Sequence, residues 1–348
     1  MEIAFYVHHH GSGHLMRCLA IASALKNCHV TFLGSALGQY RSLIPNDINL
    51  IFLPMDTPGD QDPDFLDKSL EGLHYAPLNI NGQLQRVNMI TSFLTSRPKL
   101  LFIVDVSVEI AMLSRLCGVP TIVVKQHGLR GDLPHQICYR NAVGLLAPFD
   151  EQMSGQVPKW INKKTFYTGG LSRFAPSEDL SDASKKHVAV LIGSGGTSIN
   201  SEFLDYLSNK CPQWTFHVMG NIQNTQNIKN LHFHGKLEDP RDILADCCIV
   251  IGNAGHNTVM ECASLNKRFI AIAEERPFKE QEEKARIIDE LALAVHIPAY
   301  KIFDVDWKEM LENLLTSRPN WNGLIKSNAA ERAANYLTDT HRDLFQRH

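Results

Sequence analysis

A grammar that runs twice constrains this chain more than any other feature. Short β-rich apolar runs alternate with stretches of helical periodicity, from Ile3 to Val124 and again from Val188 to Ala273. Such alternation specifies parallel strands joined by crossover helices, because runs without a polar face must be covered on both sides. Strands are predicted over Ile3–Val7, Val30–Leu33, Leu50–Leu53, Leu100–Val104 and Thr121–Val124. Helices are predicted over His14–Leu25, over Gln83–Ser96 with Leu84, Val87, Ile90 and Leu94 as its apolar stripe, and over Glu109–Cys117, closed by Gly118.

After a break at Gly169–Arg173 and the polar stretch Pro176–Lys186, strands recur at Val188–Ile192, Thr215–Met219, Ile249–Ile251 and Phe269–Ala273. Helices over Asn200–Ser208, Thr258–Leu265 and Glu280–Leu291 lie between and after them. Two Rossmann-like, doubly wound α/β domains are therefore expected, residues 1–170 and 171–326, with a last helix over 327–348 packed against one of them. A length of 348 residues agrees, since a single domain averages about 150.

Composition excludes several classes. A hydrophobic share of 44% builds full cores, and 34 basic against 37 acidic residues supply no general attraction to nucleic acid. The eight cysteines include no CxxC pair and read as reduced core thiols. No run approaches the ~18 apolar residues of a membrane span, and Ile3–Val7 is too short for a signal-peptide core, so a cytoplasmic location is expected.

The chemistry-bearing residues gather where strands hand over to helices. Gly11, Ser12, Gly13 and His14 follow the first strand, where glycines admit a ligand to the backbone and a helix start offers free N–H groups. Met16 stands where a dinucleotide fingerprint needs its third glycine, so nicotinamide binding is not expected. His14 suits general-base work near neutral pH, and Asp105, ending the fourth strand, is placed either to orient it or to cap the next helix; Glu109 is the alternative orienter. His8, His9 and His10 suggest a metal cluster but lack a carboxylate or cysteine at ligand spacing.

In the second half, Gly193, Ser194, Gly195, Gly196 and Thr197 form a loop able to hold a diphosphate without lysine. Asn253, Ala254, Gly255, His256, Asn257 and Thr258 form the next such loop. Glu261, one turn on, can hold a ribose diol or close a capping box with Thr258. Glu280 and Gln281 open a later helix, where they can reach sugar hydroxyls or favour its dipole. Asp62-Pro63-Asp64 matches the letters of a metal-binding DxD motif, but in a Pro-rich loop. The irregular stretch Pro54–Asn81 is a candidate substrate-facing loop.

In order and spacing these units resemble the GT-B glycosyltransferases, especially the MurG-like family 28 and its UDP-glycosyltransferase relatives, over most of the chain. The resemblance implies two Rossmann-like domains facing across a cleft, the first for the acceptor and joined by the final helix, the second for the donor. It implies an inverting hexosyl transfer that needs no metal or cofactor, with His14 as base, Gly193–Thr197 on the diphosphate, Glu261 on the ribose, and Glu280 and Gln281 on the sugar. Gln126 and His127 match a segment on the acceptor side. The implied partners are a UDP-sugar donor and a glycan or lipid-linked acceptor, as in cell-envelope glycan synthesis, with contact at the inner membrane face and no transmembrane segment. The run Gly13-His14-Leu15-Met16-Arg17-Cys18 is instead similar to the sugar-nucleotide hydrolases of pseudaminic acid synthesis, which give the sugar to water.

Overall fold

A computed structural model describes residues 1–67, 71–178, 181–193, 195–222 and 228–346. The first half holds strands β1 (Glu2–Tyr6), β2 (His29–Gly34), β3 (Asn49–Phe52), β4 (Leu100–Asp105), β5 (Thr121–Val124), β6 (Gly144–Ala147) and β7 (Thr165–Tyr167). Their helices are α1 (Ser12–Ser23), α2 (Asn81–Thr95), α3 (Val108–Leu116), α4 (Leu133–Asn141) and α5 (Lys159–Lys164). The second half holds β8 (His187–Leu191), β9 (Thr215–Met219), β10 (Leu231–Gly235), β11 (Ile249–Asn253), β12 (Arg268–Ala273) and β13 (Ala294–Pro298). With them run α6 (Ser201–Lys210), α7 (Arg241–Asp246), α8 (His256–Ser264), α9 (Glu280–Glu290), α10 (Trp307–Thr316) and α11 (Ala329–Phe345).

Every strand pairing is parallel, in the orders β3-β2-β1-β4-β5-β6-β7 and β10-β9-β8-β11-β12-β13. Strand period explains the unbroken apolar runs. In β4, Leu100, Phe102 and Val104 enter the core on one face of the sheet while Leu101 and Ile103 enter the core on the other. In β11, Val250 faces one core and Ile249 and Ile251 the opposite one.

Each sheet reverses its order once, between β1 and β4 and between β8 and β11. Crevices at the carboxyl ends of strands flanking such a reversal are where open α/β sheets bind ligands. The two halves also share a core. Ala147, Phe149 and Met153 of the first pack with Ala254, Met260 and Ile288 of the second. The two chain crossings run side by side, with Gly170 N–H donating to the Leu324 carbonyl at 2.6 Å. Helix α11 returns to the first half, burying Ala333 and Leu337 among residues of β1 and α1.

Several elements escape the periodicity. Strands β6 and β7 span four and three residues, too short to carry a pattern, and α4 carries Pro134 in its first turn. The predicted stripe of α2 is wrong at one end. Leu84 is 71% exposed, and the buried face is Arg86, Ile90, Phe93 and Leu94. Arg86 takes a core position because Asp56, at 2.5 Å, and the Ser35 hydroxyl, at 2.7 Å, accept from its guanidinium.

Candidate active site

Helix α1 starts on Gly11, whose φ of 75° is a left-handed backbone that suits glycine, and no side chain caps its first turn. Ser12, Gly13 and His14 form that turn. Helix α3 is capped by the Ser107 hydroxyl, which accepts from Ile110 N–H, so Asp105 is not the cap. Asp105 instead accepts from His14: Oδ2 lies 2.8 Å from Nδ1. Glu109, the alternative orienter, accepts the backbone N–H groups of His74 and Tyr75.

Arg17 completes this cluster. Its Nη2 donates to Asp105 Oδ1 at 2.5 Å and lies 3.0 Å from His14 Nδ1. Asp105 is fully buried and Arg17 is 5% exposed. Burial alone would raise the Asp105 carboxyl, but the Arg17 guanidinium and His14 overcome it and hold the acid well below the ordinary carboxylate range. Sequence reasoning named Arg17 only within a motif. The missed signal was its spacing, since three residues beyond His14 is the same helix face.

The His8 and His9 rings stack, His10 packs against both at a tilt, and His8 lies beside His14 with centroids 5.3 Å apart. They do not gather as metal ligands. His9 and Asp56 approach to 3.8 Å, and neither His9 nitrogen nor Asp56 Oδ1 has a hydrogen-bond partner. Burial and the neighbouring imidazoles push His8 down to about 3, so it stays neutral. Among the described residues, the side chains most closely grouped as metal ligands are His74, Asp132 and His135. Arg130 Nη1 lies 2.9 Å from His135 Nε2, and Asp132 bridges the two imidazoles at 2.5 Å, so these side chains already hydrogen-bond to one another. Asp62 and Asp64 are loop-building: Asp62 accepts the N–H groups of Gly59 and Asn81, and the Asp64 carbonyl accepts from the Asn79 amide.

Opposite α1 stand the loops after β8 and β11. Gly193, Gly195, Gly196 (φ 83°) and Thr197 form the first; Ser194 lies outside the described residues. Thr197 Oγ1 accepts from Ile199 N–H at 3.0 Å. The loop is braced from two sides. Arg276 Nη2 donates to the Gly195 and Gly196 carbonyls at 2.7 and 2.6 Å, and Glu274 Oε1 accepts from Ser198 N–H, Ser198 Oγ and the Asn253 amide. Neither brace was anticipated, because each joins loops some eighty residues apart.

Helix α8 starts on Gly255 with no side-chain cap, leaving its first N–H groups open. The predicted capping box therefore does not form: Thr258 lies inside the helix, and Glu261 accepts from Arg173 Nε at 2.8 Å. Burial raises the Glu261 carboxyl despite Arg173. The two glycine-rich turns face each other closely, since a Cβ on Gly13 would lie 3.6 Å from Asn257 Nδ2. His256 is held neutral, first by burial and then by the Lys284 and Arg17 cations, and its Nε2 has no partner.

On α9, Lys284 Nζ donates to Glu280 at 2.7 Å and to the Ala254 carbonyl at 3.3 Å. Burial opposes ionisation of Glu280, but Lys284 prevails and the carboxyl falls to about 2. Gln281 is nearly buried, its Oε1 accepting Glu274 N–H at 3.1 Å. Before α9, Phe278 and Lys279 both adopt left-handed φ, 58° and 52°, and the Phe278 carbonyl accepts Leu129 N–H of the first half at 2.7 Å. The Phe278 ring lies against His74, His135 and Arg130. Gln126 and His127 lie on the other side of this contact, lining a separate cavity. His127 is buried against Phe149, with Nε2 on the Met153 carbonyl at 2.9 Å.

Comparison with known proteins agrees with this architecture. Residues 187–339 match the glycosyltransferase family 28 C-terminal domain. No curated protein matches the chain. Among solved structures, MurG of Acinetobacter baumannii is similar at 14% identity, covering 97% of this chain and 100% of its own, with a TM-score of 0.68. A UDP-glucosyltransferase from Polygonum tinctorium that glucosylates indoxyl is 12% identical over 97% and 98%, with a TM-score of 0.64. The spinosyn rhamnosyltransferase SpnG, solved with thymidine diphosphate, is 12% identical over 99% and 96%, with a TM-score of 0.61. With two Rossmann-like sheets joined across a cleft and uncapped glycine turns at both strand reversals, the chain has the GT-B fold, and its second half matches the family 28 C-terminal domain.

Proposed function

We propose that this protein is an inverting, metal-independent glycosyltransferase that moves a sugar from a nucleotide-sugar, UDP-linked by preference, to an acceptor hydroxyl. The observation that carries it is the pair of buried Asp105 and partly buried His14 at one strand reversal, with the uncapped start of α8 facing the turn that holds His14 from the other. The GT-B fold and the similarity to nucleotide-sugar transferases support the same chemistry.

Ionised Asp105 takes the Nδ1 proton of His14 as a hydrogen bond, which leaves the Nε2 lone pair free. Arg17 cannot accept that proton; it keeps Asp105 charged. The acceptor oxygen attacks the anomeric carbon as Nε2 takes its proton, and the bond from that carbon to the diphosphate breaks on the opposite face. The electron pair leaves with the diphosphate, whose charge is met by N–H groups of the Gly193–Thr197 loop and of the α8 start, with Arg276 bracing that loop. Glu261 receives the ribose hydroxyls, and Glu280 and Gln281 the donor sugar.

The test is nucleotide release from UDP-, dTDP-, GDP- and CDP-sugars by the purified protein without acceptor, with ligand-induced thermal shift read in parallel. Stabilisation by one donor with almost no release fits a transferase awaiting its acceptor. Stoichiometric conversion of one donor to free sugar reassigns the protein as a hydrolase that gives the sugar to water.

A further inference from the structure

Beyond the cleft, a cavity of about 660 Å³ opens between the halves, walled by the loop after β5, the segment before α5 and the outer face of α9. Lys125 and Ser154 both line it. Lys125 is only 4% exposed, yet among the described residues no carboxylate lies within ion-pair distance of its ammonium. Buried lysines are ordinarily paired, because an unpaired ammonium in a low-dielectric site is costly. Here Nζ donates once, to Ser154 Oγ at 3.1 Å, and lies over the Phe149 and Tyr167 rings, 5.1 and 5.9 Å from their centroids. Ser154 Oγ in turn meets Tyr167 Oη at 2.9 Å, and that hydroxyl donates to Asn162. The chain of hydroxyls orients the ammonium without neutralising it, and an ammonium has three donors.

The other charges at the cavity lean the same way. Arg130 also lines it; its guanidinium donates to the His127 carbonyl and Gln126 Oε1, lies 2.9 Å from His135 Nε2 and over the Phe278 ring, and helps to hold the Glu280 carboxyl low. Glu283 is the acidic residue of the lining, and Arg286 already pairs with it. Lys125 thus stands as the buried cation of this cavity without a carboxylate at ion-pair distance, and the remaining wall includes Val157, Trp160 and Ile287.

We infer that this cavity is a binding site for an organic anion, with a carboxylate or phosphate head on Lys125 and an apolar body against Val157, Trp160 and Ile287. Burial, with Arg130 adding to it, lowers Lys125 to about 8, as expected of an ammonium whose partner is a ligand. The occupant touches both halves, since Ile287 belongs to α9 and Lys125 to the loop after β5. Donor binding at His14 is not required for it, so the two proposals stand or fall separately.

The test is calorimetric titration of the full-length protein, without nucleotide, with phenyl phosphate, benzoate and inorganic phosphate. Lys125→Gln and Val157→Trp serve as variants, their folding checked by circular dichroism. One of the two aromatic anions is expected to bind at least about tenfold more tightly than inorganic phosphate, and which one does so identifies the head group. Lys125→Gln should weaken it by about tenfold or more, and Val157→Trp, which fills the cavity but keeps the lysine, should weaken it too. Failure of both aromatic anions to bind at about 10 mM, or unchanged affinity in a folded variant, overturns the site.

Discussion

His14 and Asp105 stand 91 positions apart in the chain and meet at 2.8 Å, Nδ1 to Oδ2. They meet because β1 and β4 are neighbours at the strand reversal, so the turn after one and the last residue of the other share an edge.

If His14 is the base, His14→Ala should lower kcat by about 10²–10⁴ while leaving the nucleotide-induced thermal shift intact. Asp105→Asn should lower kcat comparably and also destabilise the fold by about 3 kcal/mol, since buried Arg17 loses its anion. Steady-state kinetics and denaturant melts of both variants separate a base from a residue that positions it. Activity near wild type in His14→Ala would end the mechanism.

Acid should weaken the fold well before carboxylates titrate. Burial lowers His135 to about 4 and His8 to about 3, whereas an unfolded histidine titrates near 6.5. The unfolded chain therefore binds more protons below about pH 6.5, and stability that is full above that value falls as pH drops toward 4 and below. Urea melts from pH 7.5 to 4.5 should show this decline, and His135→Phe should flatten it. A pH-independent midpoint across that range would show that these imidazoles are not neutral in the native state.

Gly128 has a φ of 110°, and a Cβ there would lie 2.6 Å from the Phe278 carbonyl of the other half. Gly128→Ala should cost about 1–3 kcal/mol in stability and raise the KM for donor, because the displaced turn leads directly into Glu280 and Gln281. A variant with unchanged melting temperature and KM would mean that this contact does not hold the donor-side turn.

Glu261→Gln should weaken nucleotide affinity about tenfold, the worth of one charge-assisted hydrogen bond to a ribose hydroxyl. Calorimetry with UDP reads it directly, and equal affinities would remove Glu261 from the ribose site. A deoxyribose nucleotide should lose less than UDP in this variant, a comparison that a merely structural role would leave flat.

The sequence by itself determined the architecture and the positions of both glycine turns. An apolar run flanked by helical periodicity has one stable use, a parallel strand covered on both faces, and Gly11–Gly13 and Gly193–Gly196 fall directly after such runs. His14, Asp105 and the second-half loops could be named because strand ends in such sheets are where sites form. Tertiary structure alone decided which polar groups spend their hydrogen bonds on each other. Asp105 turns to His14 and Arg17 instead of capping α3, Glu261 to Arg173 instead of Thr258, and Arg86 replaces Leu84 on the buried face of α2. Each of these partners lies on another element or another face, and local periodicity reports which side of its own element a residue occupies. Lys125 shows the same limit. It follows the strand predicted over Thr121–Val124 and drew no attention there, because its missing counter-charge became visible only once the surrounding elements had packed.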